Sequence, residues 1–175
     1  MTVVALAGCD TVFGLKQADA QLDVAMGDAT GNAPAGCPAG FNADGYLFVP
    51  DLVNWVAAEQ ACVAMSSSGS KHVHLAVLDD EVDLLASSGV RPIAMREAWI
   101  GLADLLVEGT FQWVSAEPAG APTTVMWGSS EPNGATQSNC VKENSASGRL
   151  DDDTCSDLHP FICECDDFAE DSTHF

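Results

Sequence analysis

Residues 98–114 read AWIGLADLLVEGTFQWV. Two apolar runs in it, Ala98-Trp99-Ile100-Gly101-Leu102 and Thr110-Phe111-Gln112-Trp113-Val114, have the aromatic and branched composition of strands. On their N-terminal side, Leu75-Ala76-Val77-Leu78 reads as a buried strand, and Tyr46-Leu47-Phe48-Val49 as a short strand ended by Pro50. Between them, Trp55, Ala58, Cys62 and Met65 recur at helical spacing over Asn54–Met65, with Asn54 placed as the N-cap and Glu59 inside the helix. A second helix is expected over Asp79–Ser87, with Val82, Leu85 and Ala86 facing in. On the C-terminal side, residues 115–148 are rich in Pro, Gly, Ser, Thr and Asn with little regular pattern. A loop of that length inside a compact domain is functional or disordered. Here half-cystines and Phe161-Ile162-Cys163 close it off, which favours function.

Charge excludes some partners. The chain carries 26 acids against 6 bases, a formal charge of -20. Such a surface repels nucleic acid phosphates and anionic membranes and attracts cations. With 47% hydrophobic residues the chain has material for a core.

Seven cysteines are many for 175 residues. Their spacing fits neither a structural zinc site nor CxxC redox chemistry, which leaves a disulfide framework made in an oxidising compartment, with one cysteine over. The leader accounts for the odd one. Residues 1–9, MTVVALAGC, form a short apolar run ending Leu6-Ala7-Gly8-Cys9, which resembles the lipobox of bacterial lipoproteins with Cys9 as the lipidated residue. The run is too short to span a bilayer and lacks a basic n-region. Contact with a membrane is therefore expected only through a lipid anchor. Residues 10–36 read as a flexible acidic linker in which a helix over Gln17–Met26 would be marginal alone, and residues 166–175 as a polar tail.

Within residues 37–165, an ordered set of segments matches one family. Trp55, Ala58 and Cys62 are followed by Trp99-Ile100-Gly101-Leu102, by Gly109 to Trp113, by Trp127, and by Glu131-Pro132-Asn133. Asn139-Cys140-Val141, Asp151-Asp152 with Cys155, and Phe161-Ile162-Cys163-Glu164 complete it. This resembles the C-type lectin domain, which implies an α+β fold: two helices flanking small antiparallel sheets, a long ligand-binding loop and disulfide staples. The resemblance pairs Cys62 with Cys163 and Cys140 with Cys155. It leaves Cys37 and Cys165, at the two ends of the domain, as the third bridge.

The resemblance also implies a calcium and sugar site. Calcium takes about six to eight oxygens, which carboxylates, amides and backbone carbonyls supply. Glu131, Asn133, Asp151 and Asp152 are the ligands so implied, with Glu131-Pro132 cis and open coordination places for vicinal sugar hydroxyls. The Glu-Pro-Asn order resembles the version that takes mannose, glucose, N-acetylglucosamine or fucose. Two features depart from the family pattern. Leu150-Asp151-Asp152 stands where the family has Trp-Asn-Asp, so one amide donor to sugar is lost, because a carboxylate cannot donate. Ser138, beside Gln137, stands where an acidic ligand usually precedes Asn139-Cys140.

His72 and His74 alternate along one stretch without a third ligand at zinc spacing, and His159 and His174 read as exposed. No serine sits in a nucleophile elbow, and no Gly-rich phosphate loop follows a strand. Glycoside hydrolysis would need a deep cleft and a protonated carboxyl, whereas calcium holds its ligands ionised. Trp55, Trp99 and Trp113 read as core; Trp127 lies near the site. The expectation is a non-enzymatic, calcium-dependent carbohydrate-binding protein, exported and lipid-anchored in a bacterial cell envelope. The alternative is a module of the same fold that binds protein.

Overall fold

The structure is a computed structural model that describes residues 33–66, 71–92, 97–144 and 147–175. The leader, the linker up to residue 32, the helix expected over Gln17–Met26 and the lipidation expected at Cys9 lie outside the described residues.

Strands β1 (Tyr46–Val53), β2 (His72–Leu75), β3 (Glu97–Ala103), β4 (Gln112–Trp113), β5 (Cys140–Asn144), β6 (Arg149–Asp153) and β7 (His159–Asp166) form one sheet. Helices α1 (Trp55–Val63) and α2 (Glu81–Gly89) complete the α+β architecture. The sheet runs β1-β7-β3-β5-β6, with β2 also on β7 and β4 on β3. All pairs are antiparallel except β3 with β7, which meet at Trp99 and Phe161.

Alternation along β3 and β7 feeds two cores. Trp99, Ala103, Phe161 and Cys163 join Trp55, Ala58 and Cys62 of α1 on one side. Ala98, Ile100, Leu102 and Ile162 join Val77, Leu84, Met126, Val141 and Leu150 on the other. Helix α1 starts where Asn54 accepts from the Ala57 N–H at 2.9 Å, and its buried face is Trp55, Ala58, Glu59 and Cys62, spaced three, four and seven apart. Gly101 is required by close approach: a Cβ there would lie 2.6 Å from the Leu75 carbonyl oxygen and 2.6 Å from Val114 Cγ2.

Several local expectations are corrected. Pro50 does not end β1. The ladder with β7 shifts register between Val49 and Val53, and this bulge accommodates a residue with no N–H to donate. The strand expected over residues 75–78 lies earlier, at His72–Leu75. Ala76, Val77 and Leu78 stay buried, linked to β7 and β3 by single backbone hydrogen bonds at Ala76 and to β7 again where the Val77 N–H donates to Glu164 Oε2 at 2.8 Å. Thr110–Val114 contributes only Gln112 and Trp113 as strand.

Helix α2 is turned from the expected face. Val82 and Leu85 are 69% and 73% exposed, while Leu84 and Ser87 are buried. A polar network sets this rotation. The fully buried Glu143 carboxylate accepts from Ser87 Oγ at 3.1 Å, from Ser88 Oγ, and from the Arg91 guanidinium at 2.6 Å. Leaving a buried charge unpaired costs more than exposing two aliphatic side chains, so the serine face wins.

The long loop is also shorter than read. Residues 135–137 form a 3-10 turn and Cys140–Asn144 is strand β5. Residues 166–175 do not trail away: Asp171 N–H donates to the Val114 carbonyl at 2.6 Å, and the Phe175 ring meets Trp55 edge-on at 5.6 Å. Bridges join Cys37 to Cys165, Cys62 to Cys163 and Cys140 to Cys155, with Cα separations of 5.8, 5.5 and 5.1 Å. Among the described residues no helix is long and apolar enough to cross a membrane.

Candidate functional site

The loop after β4 returns along the β6 edge of the sheet. Gly128 N–H donates to the Leu150 carbonyl and Leu150 N–H to the Met126 carbonyl, each at 2.8 Å, so residues 126–128 are laid against β6. The chain then reverses through Ser130, in the left-handed region at φ 73, and through a cis Glu131–Pro132 bond. That reversal aims Glu131 and Asn133 back at β6.

Asp152 receives the loop. Its carboxylate oxygens accept from the Asn133 N–H at 2.7 Å and the Gly134 N–H at 2.8 Å. Asn133 Nδ2 in turn donates to Glu131 Oε2 at 2.6 Å. Asp151 and Asp152 are consecutive, so their side chains leave opposite faces of β6. Because β6 is the edge strand, both still reach the space beside it. One carboxylate oxygen from each of Glu131, Asp151 and Asp152 lies within 4.8 Å of the others. The four residues proposed from sequence thus stand together: Asn133 bonds to Glu131, and its backbone bonds to Asp152.

Glu131 bears the electrostatic cost. Desolvation first, then the neighbouring Asp151 and Asp152 carboxylates, push it up to about 7 against a weaker downward pull from Lys142. Three carboxylates converging without a shared proton or cation repel one another. The donor set is all hard oxygen, which fits calcium and not zinc. Calcium held by Glu131, Asn133, Asp151 and Asp152 would relieve that repulsion.

The structure adds residues that sequence reasoning missed. A shallow cleft of ≈ 280 Å³ adjoins the site, lined by Asp104, Glu108, Phe111, Pro132, Asn133 and Asp152. Asp104 is buried; its Oδ2 accepts from the Gly109 N–H at 2.7 Å, and its Oδ1 has no protein partner among the described residues. The available signal was an acid pair four apart directly after the Trp99–Leu102 strand. Behind β6, the buried Lys142 lies 2.5 Å from Asp153 Oδ2, 3.3 Å from Glu97 and 3.9 Å from Asp151. Although burial opposes it, the Lys142 ammonium and the Thr154 N–H hold Asp153 below the usual carboxylate range. His159 is not exposed as expected: it sits on Trp99 edge-on at 4.6 Å and bonds Asp153 at 3.1 Å. His174 is half-buried and bonds the Trp113 carbonyl at 2.7 Å. His74 is buried between the Leu75 carbonyl and Asp166. Trp127 packs at 5.0 Å on Phe111 beside the cleft.

A family model described as the Lectin C-type domain matches residues 51–165. The chain belongs to the C-type lectin domain family. It is 31% identical over 127 residues to human C-type lectin domain family 4 member E, a match covering 71% of the chain and 55% of that protein. The carbohydrate-recognition domain of cow CD23, solved in the presence of a GlcNAc2Man3 oligosaccharide, aligns with a TM-score of 0.59 and 28% identity over 78% of this chain and 96% of that one. A calcium-independent type II antifreeze protein aligns with a TM-score of 0.60 and 24% identity over 74% and 93%, which shows shared fold alone. The C-type lectin assignment thus establishes the scaffold and a binding-protein family.

Proposed function

We propose that this C-type lectin domain binds a carbohydrate through a calcium ion held by Glu131, Asn133, Asp151 and Asp152. The observation that carries the reading is the convergence of the Glu131, Asp151 and Asp152 carboxylates beside Asn133 at the β6 end of the sheet. Bound calcium would supply open coordination places for two vicinal hydroxyls. Asn133 Nδ2 gives one N–H to Glu131 and has its second for the sugar, whereas Asp151 can only accept, so affinity for one monosaccharide is weak. Glu-Pro-Asn supports mannose, glucose, N-acetylglucosamine or fucose as ligand. The chain acts as a binding protein and not as an enzyme.

The test is retention of the full chain on immobilised mannose and on immobilised galactose, with millimolar calcium and with chelator. Calcium-dependent retention on mannose and none on galactose is expected. Retention unaffected by chelator would sink the reading. Retention on neither sugar would favour the second reading, a protein-binding module, for which the exposed Leu106 and Val107 (54% and 61%), in the segment between Asp104 and Glu108, speak.

Export is supported by the three bridges, which persist in oxidising compartments. Lipid attachment at Cys9, and with it a bacterial envelope location, rests on Leu6-Ala7-Gly8-Cys9 alone, while the human and cow relatives are animal proteins. An intact mass carrying a diacylglyceryl group on Cys9 is the result that reading requires.

A further inference from the structure

We propose that Lys142 is the charge-setting residue of the cation site, a buried ammonium that limits how strongly the three converging carboxylates hold a cation. The inference rests on the calcium reading above. Lys142 stands directly across the β5–β6 ladder from Asp151 and directly across the β3–β5 ladder from Trp99, so its side chain is trapped on the inner side of the edge strand, 11% exposed. Its Nζ is anchored by Asp153 at 2.5 Å and Glu97 at 3.3 Å and stands 3.9 Å from Asp151 Oδ2. Asn144 Nδ2 approaches the same Asp151 oxygen at 3.4 Å. The other described cations are engaged elsewhere: Arg149 with Glu81, Arg91 with Glu143 and Lys71 with Asp167.

Glu131, Asp151 and Asp152 bring three negative charges to the site. An ammonium behind Asp151 subtracts from that field without occupying a coordination place. Burial keeps solvent and salt from screening it. Ligand charge count is one of the levers that spread oxygen-cage calcium affinities over orders of magnitude, with extracellular modules at the weak end. Lys142 therefore keeps the site weak and reversible and biases it toward divalent over trivalent ions. Asp153 works in the opposite sense at one remove, since it ties up part of the Lys142 charge.

The test is titration of the full chain with calcium by calorimetry and with terbium by luminescence, for the wild type, Lys142→Met, Lys142→Arg and Asp153→Asn. Lys142→Met is expected to tighten calcium on the order of tenfold and terbium about thirtyfold, because the removed repulsion scales with ion charge. Lys142→Arg should restore wild-type affinity. Asp153→Asn, which keeps the lysine and is safer for folding, should weaken calcium severalfold although Asp153 is not among the proposed ligands. A merely structural lysine would give weaker binding of both ions in equal proportion in Lys142→Met, and that result, or no change, overturns the proposal while leaving the calcium site intact. If the wild type binds no calcium and Lys142→Met does, the calcium reading of the native protein falls and the role of Lys142 stands. If neither binds, both fall.

Discussion

Asp152→Asn separates the two tasks of one carboxylate. In the protein, Asp152 is 7% exposed and its two oxygens accept from the Asn133 and Gly134 N–H groups at 2.7 and 2.8 Å. An asparagine of the same shape offers one oxygen to one of these donors and presents its own NH₂ to the other. One charge-assisted bond is lost and a donor faces a donor, which costs about 2 kcal/mol or somewhat more. For a chain of this size that corresponds to a fall of roughly 4–8 °C in the melting midpoint in chelator. The second task is the ion. In the wild type, calcium at about a hundred times its dissociation constant adds roughly 2.7 kcal/mol, a rise of about 5–10 °C. The variant has lost one of the carboxylates and should show almost none of it. The assay is differential scanning calorimetry of both proteins with chelator and with millimolar calcium. A variant that melts with the wild type in chelator would refute the claim that Asp152 fastens the loop. A variant that responds to calcium as the wild type does would refute its place in the ion site.

Gly134→Ala should abolish the calcium response while leaving the core intact, because a Cβ there would come 2.0 Å from Ser138 and 2.9 Å from Asp152 Oδ2; an unchanged near-ultraviolet dichroism spectrum with no calcium-induced shift is the expected pair of results. Stability should fall as pH rises from 5 to 9. Burial pushes Glu59 up to about 7 and Glu164 up to about 8, and His74, though burial opposes it, is raised to about 9 by its bond to Asp166. All three folded-state values exceed the ordinary ones of 4.5 and 6.5, so the stabilisation is complete below those and is lost as pH climbs through the raised values. A melting midpoint that is flat or rising over that range would contradict this assignment.

The sequence by itself determined the scaffold and named the candidate ligands. Strand and helix composition, the N-cap at Asn54 and the order of the Trp, Cys and acidic segments are local signals, and local signals survive in a string. Glu131, Asn133, Asp151 and Asp152 came from the resemblance, which matched Glu131-Pro132-Asn133 and Asp151-Asp152 as oxygen-bearing motifs in the right order.

What only the tertiary structure decided depends on partners far apart in the chain. The rotation of α2 follows from Glu143, which meets Ser87 and Ser88 more than fifty residues away and outweighs the exposure of Val82 and Leu85. The bulge that carries β1 past Pro50 exists because β7 pairs on both sides of it. His159 is covered because Trp99 and Asp153 arrive from β3 and β6. Lys142 has no motif of its own: its meaning comes from the ladder that sets it opposite Asp151, and charge acts through space, where sequence distance does not count.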